Sequence, residues 1–188
     1  MSEQSEKITR EDGTIEWRLN GERHREDGPA VEVPDGTKVW FRFGKQHCDD
    51  GPAVEHFDGS REWWVNGQLH REDGPAIIES TGTQEWHQRG VYHRDDGPAV
   101  VREDGVKQWW VRGVRHRVDG PAVIEDNEMS QWWLNGVLHR ENGPAIEYID
   151  GTEEWYLLGF QVSQDMVIDV ERREKFFRKK LNPAQKHD

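Results

Sequence analysis

WWVNGQLHREDGPAIIESTGTQE, residues Trp63 to Glu85, is one copy of a sequence repeat with a period of 23 residues. Tryptophan recurs once per period, and so do three glycines, a histidine and a proline. The recurring tryptophans are Trp17, Trp40, Trp63, Trp86, Trp109, Trp132 and Trp155. A strict period of about 20–50 residues is typical of stacked-repeat proteins, in which each repeat contacts mainly its neighbours. The period therefore favours an extended binding surface over a single deep catalytic pocket.

Composition supports a thin fold that is rich in tryptophan. Only 33% of the 188 residues are hydrophobic, which is too few for a thick two-layer core. Ten tryptophans argue against disorder, because disordered chains are poor in aromatic residues. A few large rings bury much area per residue, so a sheet-like solenoid reconciles the two observations.

Charge and the termini bear on location and on the class of partner. The formal net charge of −12 disfavours direct binding to nucleic acid or to anionic lipid. No stretch resembles a transmembrane helix, and residues 1–10 lack the apolar core of a signal peptide. The single cysteine, Cys48, replaces the arginine that follows histidine in the other repeats and cannot form an internal disulfide. We therefore expect a cytoplasmic protein, in which Cys48 is a surface residue that has diverged from the repeat consensus.

Each repeat predicts one β-hairpin. Around Trp63 the pattern alternates as a strand does, so Trp63 and Val65 share the face that we expect to be buried. Asn66-Gly67 favours a tight turn, and the later Gly-Pro pair favours a kink in the return strand. The residue two positions after that proline is β-branched in every repeat, as strands prefer. The prediction is an all-β fold, a single-layer antiparallel β-hairpin repeat solenoid of six full repeats with terminal half-repeats over residues 1–162.

The segment 163–188 leaves the repeat pattern. Met166, Val170, Phe177 and Leu181 fall on one face of a helix from Ser163 to Leu181, and Pro183 ends the pattern. An open solenoid end needs a cover, so we expect a C-terminal capping helix followed by a tail.

The period, the Asn-Gly turn and a histidine three residues after its glycine resemble the membrane occupation and recognition nexus (MORN) repeat over residues 8–160. That resemblance implies a single-layer meander that serves as a scaffold or adaptor and grips a partner peptide along an aromatic groove. The chain is a divergent variant, because His70-Arg71-Glu72-Asp73-Gly74-Pro75-Ala76 replaces the family's glycines after histidine. The family's tryptophan, three residues before the turn glycine, corresponds to Trp64 rather than to Trp63.

The His-Arg-x-Asp motif is the most enzyme-like feature, since histidine and aspartate are general acid–base residues. Its even repetition argues against an active site, and strands about 4.8 Å apart place successive histidines too far apart to chelate one metal ion. We therefore predict no catalytic residues, no cofactor and no metal site. Histidine and aspartate are expected to hydrogen-bond the bent backbone around Gly-Pro.

Two sets of side chains are candidates for binding a partner. The residue after the recurring tryptophan forms a second aromatic column, which is either an exposed binding surface or a covered part of the core. Its members are Phe41, Trp64, Trp110, Trp133 and Tyr156, with Arg18 and His87 interrupting. Four aspartates form an alternative acidic face, which is either a phosphate mimic or a solubilising surface. They are Asp27, Asp50, Asp73 and Asp96.

These candidates give three functional hypotheses. The first is a non-enzymatic protein–protein interaction module, a scaffold or adaptor that binds a protein or peptide along the aromatic column. The second is an acidic inhibitor that occupies a nucleic-acid-binding protein such as a host-defence nuclease. The third, a membrane-associated scaffold, is disfavoured by the acidic charge. The sequence leaves the oligomeric state open.

Overall fold

The computed structural model describes residues 5–126 and 128–181, and the chain forms two compact units. The first comprises the chain up to Asp104 together with Val111–Gly113, and the second comprises Gly105–Trp110 and the chain from Val114 onward.

Short strands follow one another along the chain, and two helices end the described part. The strands are β1 (Glu6–Thr9), β2 (Ile15–Leu19), β3 (Glu22–Arg23), β4 (Val31–Glu32), β5 (Lys38–Val39), β6 (Phe41–Arg42), β7 (Lys45–Gln46), β8 (Val54–Glu55), β9 (Arg61–Glu62), β10 (Trp64–Val65), β11 (Gln68–Leu69), β12 (Ile77–Ile78), β13 (Gln84–Glu85), β14 (His87–Gln88), β15 (Val91–Tyr92), β16 (Val100–Val101), β17 (Lys107–Gln108), β18 (Trp110–Val111), β19 (Val114–Arg115), β20 (Val123–Glu125), β21 (Met129–Gln131), β22 (Trp133–Leu134), β23 (Val137–Leu138), β24 (Ile146–Tyr148), β25 (Glu153–Glu154), β26 (Tyr156–Leu157) and β27 (Phe160–Gln161). The helices are α1 (Gln164–Ile168) and α2 (Val170–Leu181).

The main sheet of each compact unit is an antiparallel meander. Its order is β1-β2-β4-β5-β8-β9-β12-β13-β16 in the first unit and β17-β20-β21-β24-β25 in the second. Ile77 shows the register, since it lies opposite Glu62 on one neighbour and Glu85 on the other. The predicted fold class is therefore confirmed: an all-β, single-layer antiparallel hairpin repeat with C-terminal helices.

Side hairpins branch from the main sheet once per repeat, so a repeat holds four short strands instead of the predicted two. In the first unit they are β6–β7, β10–β11 and β14–β15, and in the second β22–β23 and β26–β27. The strand breaks at the recurring tryptophan because its backbone changes partner there. The Trp63 N–H donates to the Ala76 carbonyl at 2.8 Å, and its carbonyl accepts from the His70 N–H at 3.0 Å.

Both central residues of each side-hairpin turn have positive φ, which is the backbone of a type I′ turn. Asn66 has φ 52° and Gly67 has φ 80°. The predicted Asn-Gly turn is confirmed here, yet other repeats place a residue such as Arg89 (φ 51°) or Leu158 (φ 52°) in the same conformation. L-residues with a side chain of that size rarely adopt it.

The buried hydrophobic residues are mainly the Ala-Val or Ala-Ile pairs after Gly-Pro, and the predicted tryptophan face is enclosed only in part: Leu157 on it is fully buried, whereas the recurring tryptophans keep some exposed surface. Ala53 and Ala76 have no exposed surface, and Val54 is 4% exposed. Trp63 and Val65, by contrast, are only half-buried. A single sheet supplies no second apolar layer to cover large rings, so the tryptophan rings stay partly exposed while the small residues next to the kinked backbone are enclosed.

The helices pack on the last repeat through fewer residues than predicted. Val167 is fully buried, and the Phe176 ring meets Phe160 edge-on at 6.1 Å between centroids. Val170 and Leu181 are exposed. The predicted single helix is broken between α1 and α2, so the four predicted apolar residues do not share one helix face. The domain boundary predicted after residue 162 stays a prediction, and Pro183 lies outside the described residues.

Within residues 5–126 and 128–181, neither helix has the length and apolarity that crossing a membrane requires.

Candidate functional site

An arginine covers the recurring tryptophan in five repeats among the described residues. The distance from guanidinium carbon to ring centroid is 4.1 Å for Arg25 on Trp17 and 4.0 Å for Arg71 on Trp63. The remaining pairs are Arg94 on Trp86, Arg117 on Trp109 and Arg140 on Trp132, at 4.0, 4.0 and 3.7 Å. Guanidinium groups favour this stacking, because the face of the indole is electron-rich.

The same guanidinium is held at its edge by groups of the Gly-Pro bend. The Arg71 Nε donates to Asp73 Oδ1 at 2.9 Å, and its Nη1 donates to the Pro75 carbonyl at 3.3 Å. A Cβ at Gly74 would lie 3.0 Å from the guanidinium carbon, so a side chain at this position would push the guanidinium away from its present place. Tryptophan, arginine, aspartate, glycine and proline thus form one site, which we call the guanidinium slot.

Histidine links each repeat to the next. The His70 Nδ1 accepts a hydrogen bond from the backbone N–H of Arg89 at 3.2 Å, and the His47 Nδ1 accepts from Asn66 at the same distance. The acceptor lies 19 residues before the donor, at the positive-φ residue of the next side-hairpin turn. The recurring histidine is therefore a structural tie between neighbouring turns.

The expected roles of histidine and aspartate are thus partly corrected. Histidine does bind backbone, but in the next turn rather than at Gly-Pro. Asp73 binds Arg71, and Arg71 then binds the bend, because the planar guanidinium reaches both partners at once. Among the described residues no three histidine, cysteine or acidic side chains come close enough to hold a metal ion.

The second aromatic column is half-buried, and the polar atoms of its tryptophans and tyrosine are anchored by the residue two positions earlier in the chain. In the first compact unit, Trp64 Nε1 donates to Glu62 at 2.7 Å. The ring of His87 holds the equivalent place in the fourth repeat, buried against Tyr92 with 4.2 Å between centroids. His87, which interrupts the aromatic column in the sequence, therefore still places a ring in the column.

In the second compact unit the column alternates with a cation. Arg115 lies over Trp110 at 5.0 Å and over Trp133 at 5.1 Å. Trp133 Nε1 donates to Gln131 at 2.8 Å, and the Tyr156 hydroxyl donates to Glu154 at 2.8 Å. The rings are fixed in orientation while part of each remains exposed, so the structure leaves a preorganised aromatic surface open to solvent.

Three of the four aspartates of the acidic face are neutralised within their own repeat. Asp27, Asp73 and Asp96 each accept from the Nε of the slot arginine at 2.7–2.9 Å. This hydrogen bond, with the arginine charge, holds the pKa of all three carboxyls below the usual range. Asp50 has no such arginine, because Cys48 stands in its place. The acidic face is therefore a set of internal ion pairs with one exception.

A scan against protein-family models finds no match, and a search of curated proteins finds none either.

We did not predict from the sequence that the arginine of the slot holds tryptophan, aspartate and the Gly-Pro bend together. A signal was present: arginine recurs eight residues after tryptophan and two residues before aspartate, as in Trp63, Arg71 and Asp73. Period alone does not reveal that the three side chains meet. The backbone must first double back through the side hairpin before Arg71 reaches Trp63.

Proposed function

We propose that the chain is a non-enzymatic protein–protein interaction module, a scaffold or adaptor of the MORN type. Its partner, a protein or peptide, binds along the second aromatic column. The observation that carries this proposal is the combination of partly exposed rings with fixed orientation, as at Trp64 and Trp133. Rigid aromatic residues give a large contact area at little cost in conformational entropy, and they dominate binding energy at protein interfaces.

The acidic inhibitor is the less supported alternative. A phosphate mimic needs carboxylates that are free to meet a basic cleft. Asp27, Asp73 and Asp96 are each bound to an arginine that would have to be displaced or shared. Their exposure of 81–84% keeps the alternative testable.

Affinity capture from cells of the source organism, followed by mass spectrometry, supplies the partner. Binding is then measured for the wild type, for Trp64→Ala with Trp110→Ala, and for the acidic triple Asp50→Asn, Asp73→Asn and Asp96→Asn, at low and high salt. Phe57→Ala with Ile149→Ala, in exposed turns of the main sheet, controls for loss of exposed apolar area elsewhere.

We expect the aromatic pair to lose at least tenfold in affinity with little salt dependence, because burial of apolar area is not screened by ions. Binding that survives the aromatic pair but is lost in the acidic triple, and that weakens steeply with salt, contradicts the proposal and favours the inhibitor. Circular dichroism of each variant excludes unfolding as the cause.

A further inference from the structure

The second repeat contains a guanidinium slot without its arginine. The residues that surround Arg71 in the third repeat have counterparts one period earlier, which are Trp40, Asp50, Gly51 and Pro52. The counterpart of Arg71 itself is Cys48. A Cβ placed on Gly51 meets nothing within 4 Å, whereas one on Gly74 meets the guanidinium at 3.0 Å. The volume that arginine fills in the other repeats is therefore open here.

The groups that would hold a cation in this slot are present and unengaged. Within the described part of the chain, no cationic group lies over the Trp40 ring, and neither Asp50 nor Glu55 forms a hydrogen bond or ion pair through its side chain. Glu55 matters because its counterparts Glu32 and Glu147 reach the slot arginine of their own repeats, at 3.5 and 2.5 Å. The second repeat thus carries two carboxylates at the sequence positions from which other repeats bind their slot arginine.

No neighbouring arginine substitutes for the missing one. Arg42, in the same repeat, is held by Asp49 at 2.8 Å and by the His47 ring at 3.1 Å. Beside the slot, a groove of about 310 Å³ runs between Cys48 and Asp50 on one side and Trp63 on the other. The groove gives a polypeptide room to approach the slot from solvent.

We propose that the vacant slot of the second repeat binds an arginine side chain presented by a partner protein. The proposal rests on the proposed function in taking the partner to be a protein, and it adds the chemistry that the partner must carry. The five occupied slots are the template: in each, the planar guanidinium stacks on tryptophan and donates a hydrogen bond to the proline carbonyl. Lysine fits less well, because a point charge cannot stack and donate in two directions at once.

The direct test is a titration that uses no partner. The ¹⁵N-labelled protein is titrated with N-acetyl-arginine amide while the Trp40 indole and Gly51 amide resonances are followed. N-acetyl-citrulline amide, which is of similar shape but uncharged, and N-acetyl-lysine amide are the ligand controls. Cys48→Arg fills the slot from within, and Cys48→Ser leaves it open.

We expect saturable shifts at Trp40 and Gly51 with the arginine compound, at least fivefold weaker binding of the citrulline and lysine compounds, and no binding to Cys48→Arg. Cys48→Ser should bind as the wild type does, and Asp50→Asn should bind at least threefold more weakly. Equal shifts in Cys48→Arg and wild type, or no saturable shift in either, overturn the proposal.

This outcome is separable from that of the proposed function. If a captured partner depends on Trp64 and Trp110 but binds Cys48→Arg as well as it binds Cys48→Ser, the interaction module stands and the arginine slot is wrong. If arginine saturates the slot but the aromatic pair has no effect on partner binding, the reverse holds.

Discussion

At the scale of single residues, the guanidinium of Arg71 connects four residues of its repeat. It stacks on Trp63, pairs with Asp73, binds the Pro75 carbonyl and lies against Gly74. Each contact is individually modest, and a partly exposed cation–π contact contributes about 0.5–1 kcal/mol. Their common dependence on one planar group makes arginine hard to replace.

Arg71→Ala should therefore lower the free energy of unfolding by about 1–2 kcal/mol, since it removes the stacking and leaves Asp73 without its partner. Arg71→Lys keeps the charge but loses the planar fork, so we expect most of that loss. Cys48→Arg should instead raise stability by about 0.5–1 kcal/mol, because the slot around Trp40 is already formed. Urea unfolding measures all three, and a destabilising Cys48→Arg would show that the second slot differs from its template.

Glu16 predicts an acid-sensitive contribution to stability. Its carboxyl is buried, which opposes ionisation, but hydrogen bonds from Arg10, Arg23 and Arg18 outweigh burial and lower its pKa from 4.5 to about 2. A carboxyl with a lowered folded-state pKa stabilises the fold above its unfolded-state pKa. That stabilisation, at most about 3 kcal/mol, is lost as the pH falls from 4.5 towards 2.

Urea unfolding of wild type and Glu16→Gln between pH 7 and pH 2 tests this. The wild type should be the more stable at pH 7, and the difference should shrink below pH 4.5. Glu22→Gln changes an exposed carboxylate outside the arginine cluster and controls for net charge. A difference between wild type and Glu16→Gln that is constant with pH would contradict the assignment.

At the scale of elements, the side-hairpin turn carries strain that differs between repeats. Asn66 and Arg89 occupy the same turn position with φ of 52° and 51°, and each N–H is bound by the histidine of the preceding repeat. Asparagine tolerates this conformation better than arginine does. The turns therefore share one backbone geometry, but the conformational cost of that geometry differs from repeat to repeat.

Exchanging the two residues tests that statement. Arg89→Asn should raise the free energy of unfolding by about 0.5–1 kcal/mol, and Asn66→Arg should lower it by a similar amount, since a left-handed conformation is costly for most L-residues. Arg89→Gln, which removes the same charge but lacks the tolerance of asparagine for positive φ, controls for the effect of charge on the exposed turn. Changes of the same sign in both variants would mean that side-chain contacts, not backbone conformation, decide the turn.

At the scale of the whole molecule, the period was sufficient to predict the fold class, while the Asn66-Gly67 dipeptide predicted a turn and the helical spacing of apolar residues after residue 162 predicted a terminal helix. It was not sufficient to predict which residues are buried. Trp63 looks like core in a sequence, yet a single-layer sheet leaves it to be covered by Arg71, a residue that hydropathy assigns to the surface. Contacts between side chains of one repeat depend on the side hairpin, which alternation alone does not reveal.

Repeat architecture predicts that one whole period can be removed. Deleting residues 48–70 joins His47 to Arg71, which restores an arginine for Trp40 and aligns His47 with the turn at Arg89. We expect a folded protein with cooperative unfolding, because each repeat interacts mainly with its neighbours. Deleting residues 48–59, about half a period, should destroy the fold. Near-ultraviolet circular dichroism distinguishes the two, and equal damage from both deletions would contradict the repeat account.

Amide hydrogen exchange on the complex with a captured partner shows whether that partner binds along the second aromatic column. We expect slowed exchange in the side hairpins that carry Trp64, Trp133 and Tyr156, relative to the free protein. Protection confined to the opposite turns of the main sheet, such as those at Gly36 and Gly59, would contradict it.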